Sequence, residues 1–327
     1  MKLSILGAGS WGTALSAHFA RAGLEPLLWG RNSETMEALG RDRRHPRRLL
    51  GIAVPSEVRL TSDLSEAFGY ADTLVLAVPC ASMRALLAES PASDGRHRFI
   101  STSKGIEPDT LKRMSEIVLE AHPQSKVAAL SGPTFAEGVA RGEPAAAVIA
   151  SADGSFALEL QHRFSTAAFR FYTSEDLIGV ELCGALKNVV AIAAGIVSGL
   201  GFGHNTLAAL VTRGLAEIER LVRAQGGTAH TVHGLAGIGD LMLTCTGQQS
   251  RNRRVGEQIG RGRKLSEVLV EMPEVAEGAR TCLAVPTLAA RSGVEAPIAE
   301  AVVRVLYEDV APREAIDRLM TRALRAE

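Results

Sequence analysis

Four short stretches of the chain carry residue types able to do chemistry on a small anionic molecule. Lys187 and Asn188 lie inside the run from Gly179 to Gly201, which is otherwise almost wholly apolar and small. A lysine kept out of water holds its proton less tightly and can serve as a base near neutral pH. A lysine that snorkels to solvent does not, and the run taken alone fits both. The stretch Gly234-Leu235-Ala236-Gly237-Ile238-Gly239-Asp240-Leu241 offers closely spaced glycines that let backbone approach a ligand, with Asp240 as its one charge. An Asp at a helix start is also a common cap. Ser250-Arg251-Asn252-Arg253-Arg254 gathers anion donors at an apparent helix start, where guanidinium forks and backbone N–H groups both suit a phosphate. Surface solvation accounts equally for Arg253 or Arg254 alone.

The fourth stretch is Gly7-Ala8-Gly9-Ser10-Trp11-Gly12, directly after the apolar strand Leu3 to Leu6 and before a helical pattern from Thr13 to Ala22. GxGxxG in that setting is the fingerprint of a dinucleotide fold. Gly7 permits the tight turn, Gly9 lets a pyrophosphate approach, and Gly12 lets the helix pack closely. Trp11 reads as packing or as a wall of the cofactor site. The second strand, Pro26 to Trp29, ends at Gly30-Arg31-Asn32, where such folds place the acid that grips the ribose 2′-hydroxyl. Arg31 in that place favours a 2′-phosphate, so NADPH is the expected cofactor, with NADH beside it.

These residues need a frame to hold them. Strands alternate with amphipathic helices through Thr73 to Val78, Ser82 to Glu89, Phe99 to Thr102, Pro108 to Ala121, Lys126 to Leu130, Pro144 to Ala150 and Ala168 to Tyr172. That rhythm predicts a doubly wound parallel sheet. Lys104 follows the end of one strand and Gly132 the end of another, where these sheets gather ligands. From Leu177 onward the pattern is helical throughout. The expected architecture is therefore α/β: a Rossmann-type domain over residues 1–178 and an all-α substrate domain over 179–327.

At 327 residues, 46% hydrophobic and 22% charged, the chain is long enough for about two well-buried domains. Its 36 Lys and Arg balance 36 Asp and Glu, so no global field favours nucleic acid or an anionic membrane. The dense basic run Arg41 to Arg48 has no interleaved aromatics and reads as a solvated loop. Cys80, Cys183, Cys245 and Cys282 form no metal-ligand spacing and suit a reducing cytosol. The run holding Lys187 is long enough to cross a bilayer, but its glycines and central lysine predict a soluble core helix, without membrane insertion.

Taken together, GAGSWG, STSKGI at Lys104, SGPTFA at Gly132, ALKNVVAIAAG at Lys187, GIGDL at Asp240 and SRNRR at Arg251 resemble the bacterial glycerol-3-phosphate dehydrogenase family that uses NAD or NADP. The resemblance runs through most of the chain in order. It implies reversible reduction of dihydroxyacetone phosphate to sn-glycerol 3-phosphate for phospholipid synthesis, with NADPH/NADP or NADH/NAD. Carried over by motif, the proton acceptor falls on Lys187. Substrate contacts fall on Lys104, Gly132, Thr134, Asp240, Ser250, Arg251 and Asn252. Cofactor contacts fall on Ser10, Trp11, Arg31, Lys104, Ala136 and Arg251, with Val275 and Glu277 matching a late Val-x-Glu element. The chain departs from the pattern at Gly138, where an acid is usual and Glu137 is displaced by one. It departs again in the basic loop, which lacks the usual Asn and Tyr-Leu-Pro before Gly51.

An ordinary lysine titrates at about 10.4 and needs its affinity for the proton lowered to act as a base. Burial and a Lys104 charge act in that direction, and Asp240 acts against it. The rival readings are a 3-hydroxyacid or 6-phosphogluconate type dehydrogenase, which lacks the GIGDL and SRNRR pair, and a non-catalytic NADPH-sensing module. A homodimer is expected, since apolar all-α domains of this size commonly pair.

Overall fold

The computed structural model describes residues 1–91, 95–272 and 276–323. Two compact units emerge: Met1–Lys104 with Lys112–Val180, and Gly105–Leu111 with Glu181–Glu327. The sequence suggests one cut at 178/179; it gives no sign that residues 105–111 belong to the second unit.

In the first unit β1 (Lys2–Leu6), α1 (Ser10–Arg21), β2 (Glu25–Trp29), α2 (Ser33–Asp42) and β3 (Arg59–Thr61) come first. They are followed by α3 (Leu64–Tyr70), β4 (Thr73–Leu76), α4 (Met83–Ala88), β5 (Arg98–Ser101) and α5 (Met114–Ala121). The unit closes with β6 (Lys126–Ser131), α6 (Ala136–Arg141), β7 (Ala145–Ala150), α7 (Gly154–Phe164) and β8 (Phe169–Ser174). The eight strands form one sheet in the order β3-β2-β1-β4-β5-β6-β7-β8. Every pair is parallel except β6 with β7, so the sheet departs from the expected all-parallel form at that step.

Alternation along the strands explains how both faces are covered. Ile5, Leu28, Val75, Ile100 and Ala128 point into one apolar cluster with Phe19, Phe156 and Phe164. Their chain neighbours Leu6, Leu27, Leu74, Leu76, Phe99 and Val127 point into the other, with Phe68 and Met114. Strand order reverses between β1 and β4, which puts the Gly7 turn and Ala77 at the switch point, where such sheets bind ligands.

Two expectations need correction. The helix foreseen from Pro108 starts at Met114, because Arg113 is extended and its N–H donates to the Glu116 carboxylate at 2.8 Å, a cap that begins the helix there. Nor is the basic run a wholly solvated loop. Arg41 and Asp42 finish α2, and Arg43 turns left-handed at φ 51° and donates to the Val58 and Ser56 carbonyls at 2.9 and 2.8 Å. His45 beyond it is buried.

The second unit contains most of α8 (Leu177–Gly199), then α9 (His204–Ala224), α10 (Ala229–Val232), a π turn over Leu235–Gly239 and α11 (Asp240–Thr246). After these come α12 (Arg251–Gly260), α13 (Leu265–Glu271), α14 (Glu277–Arg291), α15 (Pro297–Tyr307) and α16 (Pro312–Met320). Helix α8 is long and apolar enough to cross a membrane, yet 94% of its most apolar window is buried within the protein itself. It is the core helix of this unit.

Glu217 on α9 is 3% exposed and caps α15, accepting the Ile298 and Ala299 N–H groups at 2.9 Å each. Burial nevertheless raises its pKa from 4.5 to about 7, against the pull of those two donors. Between these values the folded protein binds more protons than the unfolded chain. The contribution of Glu217 to stability therefore falls as pH rises through that window and settles above about 7. Glu217→Gln stays neutral throughout. In denaturant melts at pH 5 and pH 8 the variant is expected to gain on wild type with rising pH, by up to ~3 kcal/mol. A difference that does not change with pH would exclude the charged carboxylate as its cause.

Candidate active site

The first unit builds a cradle at its switch point. Gly7 sits at φ +126°, and a Cβ there would stand 2.6 Å from the Ala77 carbonyl oxygen. A Cβ on Gly12 would stand 1.9 Å from the Gly7 carbonyl oxygen, so α1 begins closer to the turn than any other residue allows. Around Gly9 the space is open, with nothing within 4 Å of an added Cβ, and no side chain caps α1 at this residue. Open approach, an uncapped helix N-terminus and two obligatory glycines fit a dinucleotide pyrophosphate. Ser10 and Trp11 open the helix. The Trp11 ring packs on the core cluster, and its indole N–H is buried with no partner among the described residues. Arg31 extends from the end of β2, 63% exposed, with its guanidinium 3.9 Å from Glu89.

A second group lies at the ends of β5 and β6. Thr102 and Ser103 donate to the Leu76 and Val78 carbonyls at 2.9 and 2.6 Å, which ties the loop bearing Lys104 to the end of β4. Lys104 Nζ donates to the Gly132 carbonyl at 3.2 Å. Gly132 has φ +155° and is pressed so close to β7 that a Cβ would stand 2.8 Å from Ala147 Cα. Thr134 donates its N–H back to the same carbonyl at 2.8 Å, and Ala136 opens α6. The departure at Gly138 is local: Glu137 pairs with Arg141 one turn along α6.

In the second unit, the ammonium of Lys187 is held inside the helical core. Nζ lies 2.8 Å from Asp240 Oδ1 and donates to Thr244 Oγ1 at 2.6 Å. The side chains of Lys187 and Asp240 are 7% and 2% exposed, so Lys187 does not snorkel. Thr244 Oγ1 in turn donates to the Asp240 carbonyl at 2.7 Å, which leaves its lone pairs facing the lysine. Burial disfavours the ammonium, and the carboxylate offsets that penalty. Cys245, beside them, is kept as a neutral thiol by burial, its pKa pushed up to about 12.

Glycine packing brings α12 close against α8, the helix that bears Lys187. Helices α8 and α12 cross with glycines facing on both sides. A Cβ on Gly195 or Gly199 would stand 2.0 or 2.3 Å from the Arg253 or Glu257 carbonyl oxygen. One on Gly256 or Gly260 would stand 2.0 or 2.5 Å from that of Ile192 or Ile196. Asn252, in the first turn of α12, donates to Asn188 Oδ1 at 2.9 Å and accepts the Gly278 N–H at 2.9 Å, joining α8, α12 and α14. Ser250 caps α12 through the Arg253 N–H at 3.2 Å. Arg251 is exposed, and the Arg253 Nε is buried without a partner among the described residues.

Two family models divide the chain between them: the NAD-dependent glycerol-3-phosphate dehydrogenase N-terminus over residues 2–157 and the C-terminus over 176–317. The chain belongs to the NAD-dependent glycerol-3-phosphate dehydrogenase family. It is 46% identical to glycerol-3-phosphate dehydrogenase [NAD(P)+] 1 of Salinibacter ruber over 99% of this chain and 96% of that one. With the Geobacter sulfurreducens enzyme of the same name it shares 47% identity, covering 100% and 98%. The crystal structure of glycerol-3-phosphate dehydrogenase from Coxiella burnetii superimposes with a TM-score of 0.94 at 37% identity, covering 98% of this chain and 99% of that one. Membership removes the 3-hydroxyacid, 6-phosphogluconate and sensing-module alternatives.

Within this dehydrogenase, Gly7, Gly9, Ser10, Trp11, Gly12, Arg31, Lys104, Gly132, Thr134 and Ala136 all fall in the first unit. Lys187, Asp240, Ser250, Arg251, Asn252 and Glu277 fall in the second. Val275 lies outside the described residues. Gly237 serves a different purpose from the one expected: its Cβ would stand 2.0 Å from the Val232 carbonyl oxygen, so it admits a neighbouring turn and not a ligand. Sequence reasoning missed Thr244. Its signal was its place one helical turn after Asp240, on the same face of α11.

Proposed function

We propose that Lys187 is the proton acceptor and donor in the reversible reduction of dihydroxyacetone phosphate to sn-glycerol 3-phosphate. The chain is a nicotinamide-dependent oxidoreductase of the glycerol-3-phosphate dehydrogenase family, and the carrying observation is the buried amine bound to Asp240 and Thr244. When bound, the nicotinamide supplies or takes the hydride at the substrate's second carbon. Lys187 moves the proton of the oxygen on that carbon, and Asp240 and Thr244 hold its nitrogen in one place for both directions. Lys104 is assigned to the substrate as a cation, together with Gly132 and Thr134 of the turn that it touches.

Arg251 and Asn252 take the substrate phosphate. The backbone amides of Arg251 and Asn252, ahead of the one that Ser250 caps at Arg253, support this, as does the one Asn252 amide proton left after its bond to Asn188. Anchoring a remote phosphate lets binding energy orient the reacting carbon. Ser250 acts by capping that turn. Gly7, Gly9, Ser10, Trp11, Gly12, Ala136, Arg251, Val275 and Glu277 are assigned to the nucleotide. Arg31 is assigned to the 2′-phosphate of NADPH, so NADPH is preferred to NADH.

Mixing protein, dihydroxyacetone phosphate and either nucleotide, and following the nicotinamide absorbance, tests the reading. Oxidation faster with NADPH than with NADH is expected, and none with either would end it. Arg251→Ala should raise KM for dihydroxyacetone phosphate by about a hundredfold, the worth of a charge-assisted bidentate contact. An unchanged KM would move the phosphate elsewhere. The reading includes a homodimer, checked by light scattering, and a cytosolic location, with which four free cysteines agree.

A further inference from the structure

The basic run Arg41 to Arg48 takes no part in the chemistry assigned to Lys187, yet one of its residues is built into the nucleotide cradle. His45 is 5% exposed. Its Nδ1 accepts the backbone N–H groups of Arg47 and Arg48 at 3.2 and 3.1 Å. Two donors aimed at one ring nitrogen put the proton on the other, and Nε2 donates to the Ala8 carbonyl at 3.0 Å. Burial, seconded by the charges of Arg48 and Arg47, lowers the pKa of the ring and keeps it in that neutral form.

Ala8 is the second residue of the GAGSWG turn, and it abuts the end of β2: a Cβ on Gly30 would stand 2.8 Å from the Ala8 Cβ. Arg31 follows Gly30. The imidazole thus joins the GAGSWG turn to the backbone of two consecutive arginines, and the turn in its place abuts the end of β2, where such folds receive the adenosine ribose.

We propose that His45 is a positioning residue for nucleotide selection, a latch that holds the backbone of Arg47 and Arg48 at the ribose end so that, with Arg31, they select a cofactor bearing a 2′-phosphate. This rests on the assignment of Arg31 to that phosphate. An untethered basic loop keeps its charges but not their place, so the latch changes selectivity more than it changes turnover.

Affinity is read by titrating the fluorescence of NADPH and of NADH into the full-length wild type, His45→Asn and His45→Gln. An Asn oxygen can still accept the two N–H groups but is too short to reach Ala8; a Gln amide reaches Ala8. The expected result is that His45→Asn weakens NADPH binding about tenfold, the equivalent of one good hydrogen bond. NADH affinity, kcat at saturating NADPH and the thermal midpoint should stay near wild type, and His45→Gln, which keeps the bond to Ala8 but offers no acceptor at the Nδ1 position, should lose NADPH affinity in the same selective way. Unchanged NADPH affinity in His45→Asn overturns the latch. So does an equal loss for both nucleotides with a lowered midpoint, which marks a role in folding alone. A wild type indifferent to the 2′-phosphate overturns instead the assignment of Arg31, and the latch with it.

Discussion

Lys187→Ala should lose turnover by about a hundred- to ten-thousandfold, the range that positioned proton transfer supplies, while nucleotide affinity stays within about twofold of wild type. The second part matters because the nucleotide cradle is built wholly from other residues. The substitution also takes the ammonium from beside the Asp240 carboxylate, which is 2% exposed. Breaking a buried ion pair by removing one partner costs about 3 to 5 kcal/mol, so the single variant tests stability and chemistry together. Lys187→Met with Asp240→Asn separates them. That pair removes both charges, should fold nearly as well as wild type, and should remain inactive. Near-wild-type turnover in either protein would take the proton away from residue 187.

The second large effect is expected at the crossing of α8 and α12. Gly256→Ala puts a methyl 2.0 Å from the Ile192 carbonyl oxygen, and neither backbone can give way without tilting a helix. Overpacking of this kind costs about 1 to 3 kcal/mol, and the helix that must tilt carries Ser250, Arg251 and Asn252 at its first turn. KM for dihydroxyacetone phosphate should therefore rise along with the loss of stability. Gly69→Ala in α3 is the control: its Cβ enters open space, and replacing a helical glycine by alanine should stabilise by up to ~1 kcal/mol. Denaturant melts of the two variants should move in opposite directions. If Gly256→Ala behaves like Gly69→Ala, the close crossing has no part in setting the site.

Much of this was legible in the chain. The strand before Gly7 and the helix after Gly12 give the cradle, whereas the lysine within the long apolar run suits burial and snorkelling alike until the neighbouring motifs are set beside it. Other features were hidden for identifiable reasons. Gly195 and Gly199 count against a membrane span when α8 is read alone; their use becomes visible only when Gly256 and Gly260 are laid against them. Thr244 looks like any helical threonine until Lys187 is found at its oxygen. His45 sits among five arginines between 41 and 48, and a run so charged reads as solvated because composition averages over the one ring that turns inward. The start of α5 was misplaced because Pro108 resembles a helix opening, whereas the extended Arg113 sets the true one.

The short segment Gly105–Leu111 carries a consequence for how the protein is made. It packs with the second unit although both of its flanks belong to the first, so the chain passes from one unit to the other three times, at 104/105, 111/112 and 180/181. A ribosome delivering the nucleotide half first leaves that segment without its partners until residues beyond 181 emerge. Nor can a gene shortened at that junction yield a complete helical half, because one piece of it is encoded upstream.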